Sequence, residues 1–469
     1  MKGKFLLILP LILGTLMAGI DSSIVNISLP TMQSEFGVDL DQIQWVITAY
    51  MLGFCVFMPL TNWLKERMGY YNLYLISLAV FTVGSLMCAI SRSLETLILA
   101  RAIQSFGGGA ITPTAMAIIT AVFPANERGK VMGWWSIGSI AGPAIGPTIG
   151  GILTAYYGWP SIFYINLPIG IITMVIAGKS LRFLNTLPKA ESKFDLKGFS
   201  LFTVFIVFFQ YAIAIISIKG ITSPWFFTPL ILSFVAIYYF IKISNNNPRA
   251  LFNLNIFKHS VYIRCILITV VRSIAIFGGL FMLPFLLQGE LGYSEIKAGL
   301  MILPFSFVMA ILTPYAGSLS DRIGPRKLVV PGLIIAAASM VSFGFINSPN
   351  EVPVILSMVL RGLGLGLLVS TLSASAMSSV LPSEVTYASS MYSLMQQLGG
   401  SIGIAFSSLI QQFMLNYYHV KGYADQVANH FAIQDVFLIS AVLVLASIFL
   451  AFKLPNAAVV KNINSGLAN

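Results

Sequence analysis

Continuous apolar runs of about twenty residues constrain this 469-residue chain more than any other feature of its sequence. Backbone amides are too costly to leave unpaired in hydrocarbon, so a spanning segment must be a helix or belong to a closed barrel. Barrel strands alternate over segments of roughly 10 residues, whereas these runs are unbroken and long enough for a helix to cross ~30 Å. Charged residues make up only 9% of the chain, so lipid must be its solvent. We predict an all-α polytopic membrane protein.

Fourteen spans are predicted, in groups of six, two and six. This grouping indicates two six-helix pseudo-symmetric bundles plus two extra central transmembrane helices. We expect an N-terminal bundle at 1–181, a linker with the extra pair at 182–260, a C-terminal bundle at 261–455 and a cytoplasmic tail at 456–469. The predicted spans are 5–29, 43–64, 71–91, 94–122, 131–156, 159–180, 198–218, 225–243, 262–288, 296–319, 327–347, 353–381, 385–414 and 432–453.

Basic residues alternate between the predicted loops. Nineteen lysines and arginines fall on the side that carries both termini, and the other side holds Arg92, Lys219, Lys297 and Lys421. Positive charge is enriched in cytoplasmic loops, so both termini are expected in the cytoplasm. This asymmetry accounts for the net charge of +11 without nucleic acid as a partner. The three cysteines and three histidines show no metal-ligand spacing, and neither a metal nor a disulfide is predicted.

Two loops repeat one pattern in the two halves. Asn62-Trp-Leu-Lys-Glu-Arg-Met-Gly69 follows the second span, and Gly317-Ser-Leu-Ser-Asp-Arg-Ile-Gly-Pro-Arg-Lys327 follows the corresponding span of the last six. The second loop resembles the G-x-L-x-D-R-x-G-R-K signature of the major facilitator superfamily, and the first is a degraded copy. The resemblance implies a cytoplasmic gate. Its candidate residues are Glu66, Arg67, Gly69, Gly317, Asp321, Arg322, Gly324, Arg326 and Lys327.

Glycine recurs every four residues in the fifth span, which lets a neighbouring helix approach closely. Two prolines within the run favour a bend. The run resembles the G-x-x-x-G-P-x-x-G-G signature that distinguishes antiporters in the superfamily, although a plain packing face would use the same glycines. The motif residues are Gly138, Gly142, Pro143, Gly146, Pro147, Gly150 and Gly151.

Two further segments resemble the fourteen-span drug:H⁺ antiporter branch of that superfamily. Residues 21–30 read DSSIVNISLP, close to the branch motif L-D-x-T-I-V-N-V-A-L-P, with Ser23 in place of threonine. Residues 158–170 read GWPSIFYINLPIG and match G-W-R-W-I-F-x-I-N-x-P-I-G, with departures at Pro160 and Ser161. The resemblance extends over essentially the whole chain. It implies a multidrug exporter of a bacterial inner membrane, with no cofactor and with the proton gradient as energy source.

Asp21 is the one acidic residue deep within a predicted span, and charges at such depth are functional candidates. At the helical rise per residue, Asp21 lies about 12 Å and Arg101 about 9 Å from the outer ends of their helices. The two can therefore pair if the first and fourth helices adjoin, as the resemblance implies. The hypothesis is that Asp21 carries the proton and Arg101 regulates it. The alternative is an ion pair that only locks the helices together.

Polar, aromatic and cationic side chains in the spans are candidates for a substrate cavity between the bundles. We expect small-molecule substrates, protons and lipid as partners, and leave a periplasmic adaptor open. Three arginines against one aspartate make an amphiphilic anion credible as substrate. A dedicated exporter of a siderophore or lipid-like metabolite, and a receptor with a transporter fold, remain alternatives; an enzyme is not indicated, because the chain lacks a catalytic motif. The candidates are Asn26, Trp45, Tyr50, Gln104, Trp134, Arg272, Gln288, Arg361, Tyr392 and Gln396.

Overall fold

A computed structural model describes residues 2–123, 125–186, 194–219, 223–245, 254–381 and 384–456 of the chain. Parts of the predicted linker at 182–260 and nearly all of the predicted tail at 456–469 lie outside the described residues. Side chains at several helical positions, among them Asp321, are likewise outside the description.

The described residues are all-helical, with no strand, and form fourteen long helices. The predicted fold class is therefore confirmed. Thirteen of these helices are long and apolar enough to cross a membrane; the remaining one is α5. The helices are α1 Lys2–Phe36, α2 Leu40–Phe57, α3 Leu60–Ala89, α4 Leu94–Val122, α5 Ala125–Tyr157, α6 Ser161–Ser180, α7 Leu196–Lys219, α8 Pro224–Asn245, α9 Ser260–Glu290, α10 Glu295–Ile323, α11 Arg326–Phe343, α12 Glu351–Met377, α13 Val385–Val420 and α14 Asp425–Ala451.

The two repeated loops turn at equivalent glycines. Gly69 has φ of 81° and interrupts α3, while Gly324 has φ of 89° and separates α10 from α11. Only glycine adopts positive φ without strain, and each of these glycines stands seven residues after the first residue of its motif. Met58 and Pro59 keep helical angles between α2 and α3, so the break falls at Gly69, between the predicted spans 43–64 and 71–91.

The chain divides into two compact units. Unit 1 comprises Met1–Leu196 and Ser294–Leu300, and unit 2 comprises Lys197–Tyr293 and Met301–Asn469. In unit 1, α1 packs along α5, and α3 along α4. In unit 2, the corresponding neighbours are α9 with α13 and α11 with α12.

The glycines of α5 lie against the backbone of α1. A Cβ added at Gly142 would stand 2.8 Å from the carbonyl oxygen of Leu16 and 2.9 Å from the Cα of Gly19. A Cβ at Gly138 would stand 2.7 Å from the carbonyl oxygen of Ile12. This approach brings the segment of α1 that precedes Asp21 directly against α5, with no side chain between the two backbones.

We predict that Gly142→Ala lowers the thermal unfolding midpoint of the detergent-purified protein, by an amount equivalent to about 1–3 kcal/mol of overpacking. The methyl group meets backbone rather than a flexible side chain, so the helices must separate. Gly178→Ala in α6 is the matched control, because a Cβ there meets nothing within 4 Å. Equal midpoints for the two variants would contradict the close approach of α1 and α5.

Candidate functional site

Asp21 is completely buried at the centre of a polar cluster in unit 1. Its Oδ2 accepts a hydrogen bond from Arg101 Nη1 at 2.7 Å. Its Oδ1 accepts from Gln104 Nε2 at 2.8 Å and from Asn166 Nδ2 at 3.0 Å. One carboxylate from α1 therefore binds donors from α4 and α6. The pairing of Asp21 and Arg101 that their depths predicted is present in the structure.

Arg101 has further partners besides the carboxylate. Its Nε donates to the backbone carbonyl of Val46 at 3.2 Å, and Nη1 also donates to Gln104 Oε1 at 2.6 Å. The guanidinium carbon lies 4.1 Å from the ring centroid of Tyr50 and 5.7 Å from that of Phe163. Aromatic faces attract a cation within about 6 Å. The positive charge of Arg101 is therefore stabilised by α1, α2 and α6 together.

Ser85 completes the cluster from α3. Its hydroxyl accepts from Gln104 Nε2 at 2.7 Å and from Asn166 Nδ2 at 3.3 Å, and donates to the Phe81 carbonyl at 2.9 Å. A Cβ at Gly84 would stand 2.6 Å from the Cα of Gln104. The missing side chain of Gly84 thus brings α3 against α4 at the height of the cluster.

Gln104 and Tyr50, which the sequence suggests as cavity residues, both contact the Asp21–Arg101 pair. The structure adds Ser85 and Asn166 to the cluster. The sequence offers a signal for Asn166, because an amide side chain buried in an apolar span needs hydrogen-bond partners. It offers no such signal for Ser85, because serines in membrane helices commonly bond their own backbone.

The remaining cavity candidates are distributed over both units. In unit 1, Trp134 is 51% exposed, Trp45 is half-buried, and Asn26 donates to the carbonyl of Ser23 at 3.4 Å. In unit 2, Arg272, Arg361 and Tyr392 are buried, while Gln288 and Gln396 are half-buried. A cavity that joins the two sets stays a prediction.

Gate candidates lie beside the kink of α3 at Gly69 and around the junction of α10 with α11. Arg67 lies over the ring of Trp63 at 5.4 Å, and Arg326 lies over the ring of Phe452 at 5.1 Å. Arg322 is exposed, and the side chain of Asp321 is outside the described residues. The gate role of these residues stays a prediction.

Comparison with known proteins identifies the family. The model of the Major Facilitator Superfamily matches residues 11–404, with a second match over 265–467. The chain belongs to the Major Facilitator Superfamily. It is therefore a multi-pass secondary transporter of small molecules and not an enzyme.

Relatives in the superfamily include transporters with named cargo. The chain is 30% identical to the multidrug resistance protein B homolog of Mycobacterium tuberculosis (strain H37Rv), over 89% of this chain and 78% of that protein. It is 31% identical to the riboflavin transporter RibZ of Clostridioides difficile, over 87% and 88%. The structure of an auto-inhibited POT family peptide transporter matches the fold with a TM-score of 0.69 at 14% identity, over 96% of this chain and 97% of that one.

A double-mutant cycle tests the buried pair. We predict that Arg101→Gln destabilises the protein by about 3–5 kcal/mol, because it leaves the buried carboxylate without its cation. Asp21→Asn should destabilise it by less, because Arg101 keeps the Val46 carbonyl, the Gln104 amide oxygen and the Tyr50 ring. The combined variant should recover much of that loss, since both charges are then absent. Thermal unfolding of the three variants in detergent gives the coupling free energy. Additive losses would show that the two side chains do not interact.

Proposed function

We propose that this transporter exports drugs or other amphiphilic small molecules by proton antiport with alternating access. It resides in a bacterial cytoplasmic membrane with both termini in the cytoplasm, as the distribution of basic residues favours. The observation that carries the proposal is the buried carboxylate of Asp21 with three hydrogen-bond donors from two other helices. Asp21 is the group that takes up and releases the proton.

Protonation of Asp21 changes what holds α1 in unit 1. A neutral carboxyl group loses the charge that binds Arg101 and accepts fewer hydrogen bonds. Arg101 keeps the Val46 carbonyl, the Gln104 amide oxygen and the Tyr50 ring. The cation therefore stays solvated by protein while the links from α1 to α4 and α6 weaken. Proton uptake at this point loosens one helix and leaves the rest of the cluster intact.

The direction of transport is supported by the glycine run of α5. That run resembles the antiporter signature, and its glycines let α1 and α5 approach closely. A helix held by backbone contacts can slide or tilt without repacking large side chains. The movement of α1 that follows protonation of Asp21 takes place along this surface.

Asp21→Asn tests the coupling. In proteoliposomes with an imposed pH gradient, we expect the wild type to move at least one of ethidium, N-phenyl-1-naphthylamine and 8-anilino-1-naphthalenesulfonate with a matching proton flux. Asp21→Asn should abolish that proton flux, because the amide cannot release a proton. Glu35→Gln is the matched control, since it makes the same change on the exposed end of α1, where Glu35 accepts from Trp159 Nε1. Proton movement that persists in Asp21→Asn on addition of substrate would overturn the role of Asp21.

Export of one dedicated metabolite is the second candidate, favoured by the relative named as a riboflavin transporter. The number of chemically different compounds that the protein exports distinguishes the two candidate functions. Broad export predicts efflux of several chemically unrelated dyes from cells that express the wild type, with efflux lost on dissipation of the proton gradient. Efflux restricted to a single compound of the panel would favour the dedicated exporter.

A further inference from the structure

Arg361 in α12 is the counterpart of Arg101 in the other half of the chain. In unit 1, Cβ atoms added at Gly138 and Gly142 would meet the carbonyl oxygens of Ile12 and Leu16, and Asp21 lies five residues after Leu16. In unit 2, Cβ atoms added at Gly399 and Gly403 would meet the carbonyl oxygens of Val270 and Ile274, and Gly279 lies five residues after Ile274. Gly279 therefore occupies in α9 the place that Asp21 occupies in α1.

The guanidinium of Arg361 lies beside this part of α9, and no anion accompanies it among the described residues. Its Nη2 donates to the carbonyl oxygen of Ile276 at 2.7 Å. Its Nε and Nη1 are buried and have no hydrogen-bond partner among the described residues. The ring of Phe305 lies 5.9 Å from the guanidinium carbon, near the outer limit of a cation–π contact.

Arg361 cannot avoid the cost of its unpaired nitrogen atoms by losing its charge, because a guanidinium stays protonated in proteins. A buried charge without a partner is strongly unfavourable. Within the described part of the chain, no carboxylate lies within ion-pairing distance of Arg361 or Arg272. The acidic side chains of unit 2 that the structure places in pairs are Glu290 with His430, Glu384 with His259 and Asp425 with His419.

Arg272 adds a second cation to the same region. It is 3% exposed, its Nε also lacks a hydrogen-bond partner among the described residues, and it lies near the phenol of Tyr392. Arg272 precedes Ile276 by one helical turn, about 6 Å. Gly279 lies about one turn beyond Ile276 and two turns beyond Arg272. Its missing side chain leaves room beside the guanidinium of Arg361, because a Cβ there would stand 3.1 Å from Nη2.

We infer that Arg361, assisted by Arg272, binds the anionic group of an amphiphilic aromatic cargo, such as a carboxylate. This inference rests on the proposed export function and names its substrate class. A planar guanidinium suits a carboxylate, while Phe305 and Tyr392 supply apolar and aromatic surface for the body of the compound. The missing counter-charge is then brought by the cargo rather than by the chain.

Calorimetric titration of the protein in lipid nanodiscs tests this without a proton gradient. The probes are 2-naphthoate, 2-naphthamide and 2-naphthylmethylammonium, which share one ring system and differ in charge. We expect the wild type to prefer naphthoate, and Arg361→Gln to weaken naphthoate binding roughly tenfold or more, as for loss of a charged hydrogen bond. Naphthamide binding should stay within about twofold, a difference too small to reflect a lost charged contact. Arg361→Lys should retain the preference for naphthoate.

Two controls keep the outcome decisive. Arg264→Gln removes the same charge from a half-buried position near the start of α9, where Arg264 donates to the Lys453 carbonyl, and should leave naphthoate binding unchanged. Arg361→Gln should unfold at the same or a higher temperature than the wild type, because it removes an uncompensated charge, whereas Arg101→Gln unfolds earlier. Equal binding of all three probes, no naphthoate binding, an equal loss for every probe, or early unfolding of Arg361→Gln would each overturn the inference.

The outcomes separate this inference from the export proposal. If the wild type drives proton-coupled transport of a panel compound but binds naphthoate no better than naphthamide, only the anion site fails. If naphthoate binds through Arg361 but no panel compound moves with protons, only the antiport proposal fails.

Discussion

The ion pair between Asp21 and Arg101 sets the architecture of unit 1. A buried pair is tolerated only where hydrogen bonds satisfy the remaining atoms of both groups. Gln104, Asn166 and the Val46 carbonyl supply those bonds here, and Ser85 positions the two amides by accepting a hydrogen bond from each. Because these partners lie on α2, α3, α4 and α6, the pair fixes the relative heights of five helices, α1 included. The close glycine contacts of α1 with α5 and of α3 with α4 make that convergence possible.

Through the same arrangement, the proton uptake that we propose at Asp21 would act on several helices. Neutral Asp21 weakens only the bonds that α1 makes, because Arg101 keeps other acceptors and the Tyr50 ring. In the proposed mechanism, protonation of Asp21 removes one negative charge and weakens the attachment of α1. Among the described residues, unit 2 has the arginine Arg361 but no aspartate paired with it. The two halves of the chain therefore place different chemistry on one repeated framework: a buried ion pair in unit 1, which we propose as the proton site, and an arginine without a described counter-charge in unit 2.

Much of this was predictable from the sequence, for identifiable reasons. Span length and the near-absence of charge indicated fourteen helices, and the depths of Asp21 and Arg101 indicated their pairing. The hydrogen-bond partners of the Asp21–Arg101 pair were harder to predict from the sequence. Ser85 and Tyr50 are ordinary residues in apolar helices, and only the approach of α3 to α4 at Gly84 shows why Ser85 matters. The contrast between Arg101 and Arg361 was also hidden, because the sequence presents both as intramembrane arginines and only the structure shows that Gly279 occupies the position equivalent to Asp21.

The central claim is that Asp21 gains and loses a proton within the membrane. Infrared difference spectroscopy of the protein in lipid membranes, recorded as pH is lowered, detects the carbonyl stretch of a protonated carboxyl group directly. We predict a protonated-carboxyl band in the wild type and in Glu35→Gln, and no such band in Asp21→Asn. The band of the wild type should change when a transported compound is added. An identical band in Asp21→Asn, or a band in the wild type that does not respond to substrate, would contradict it.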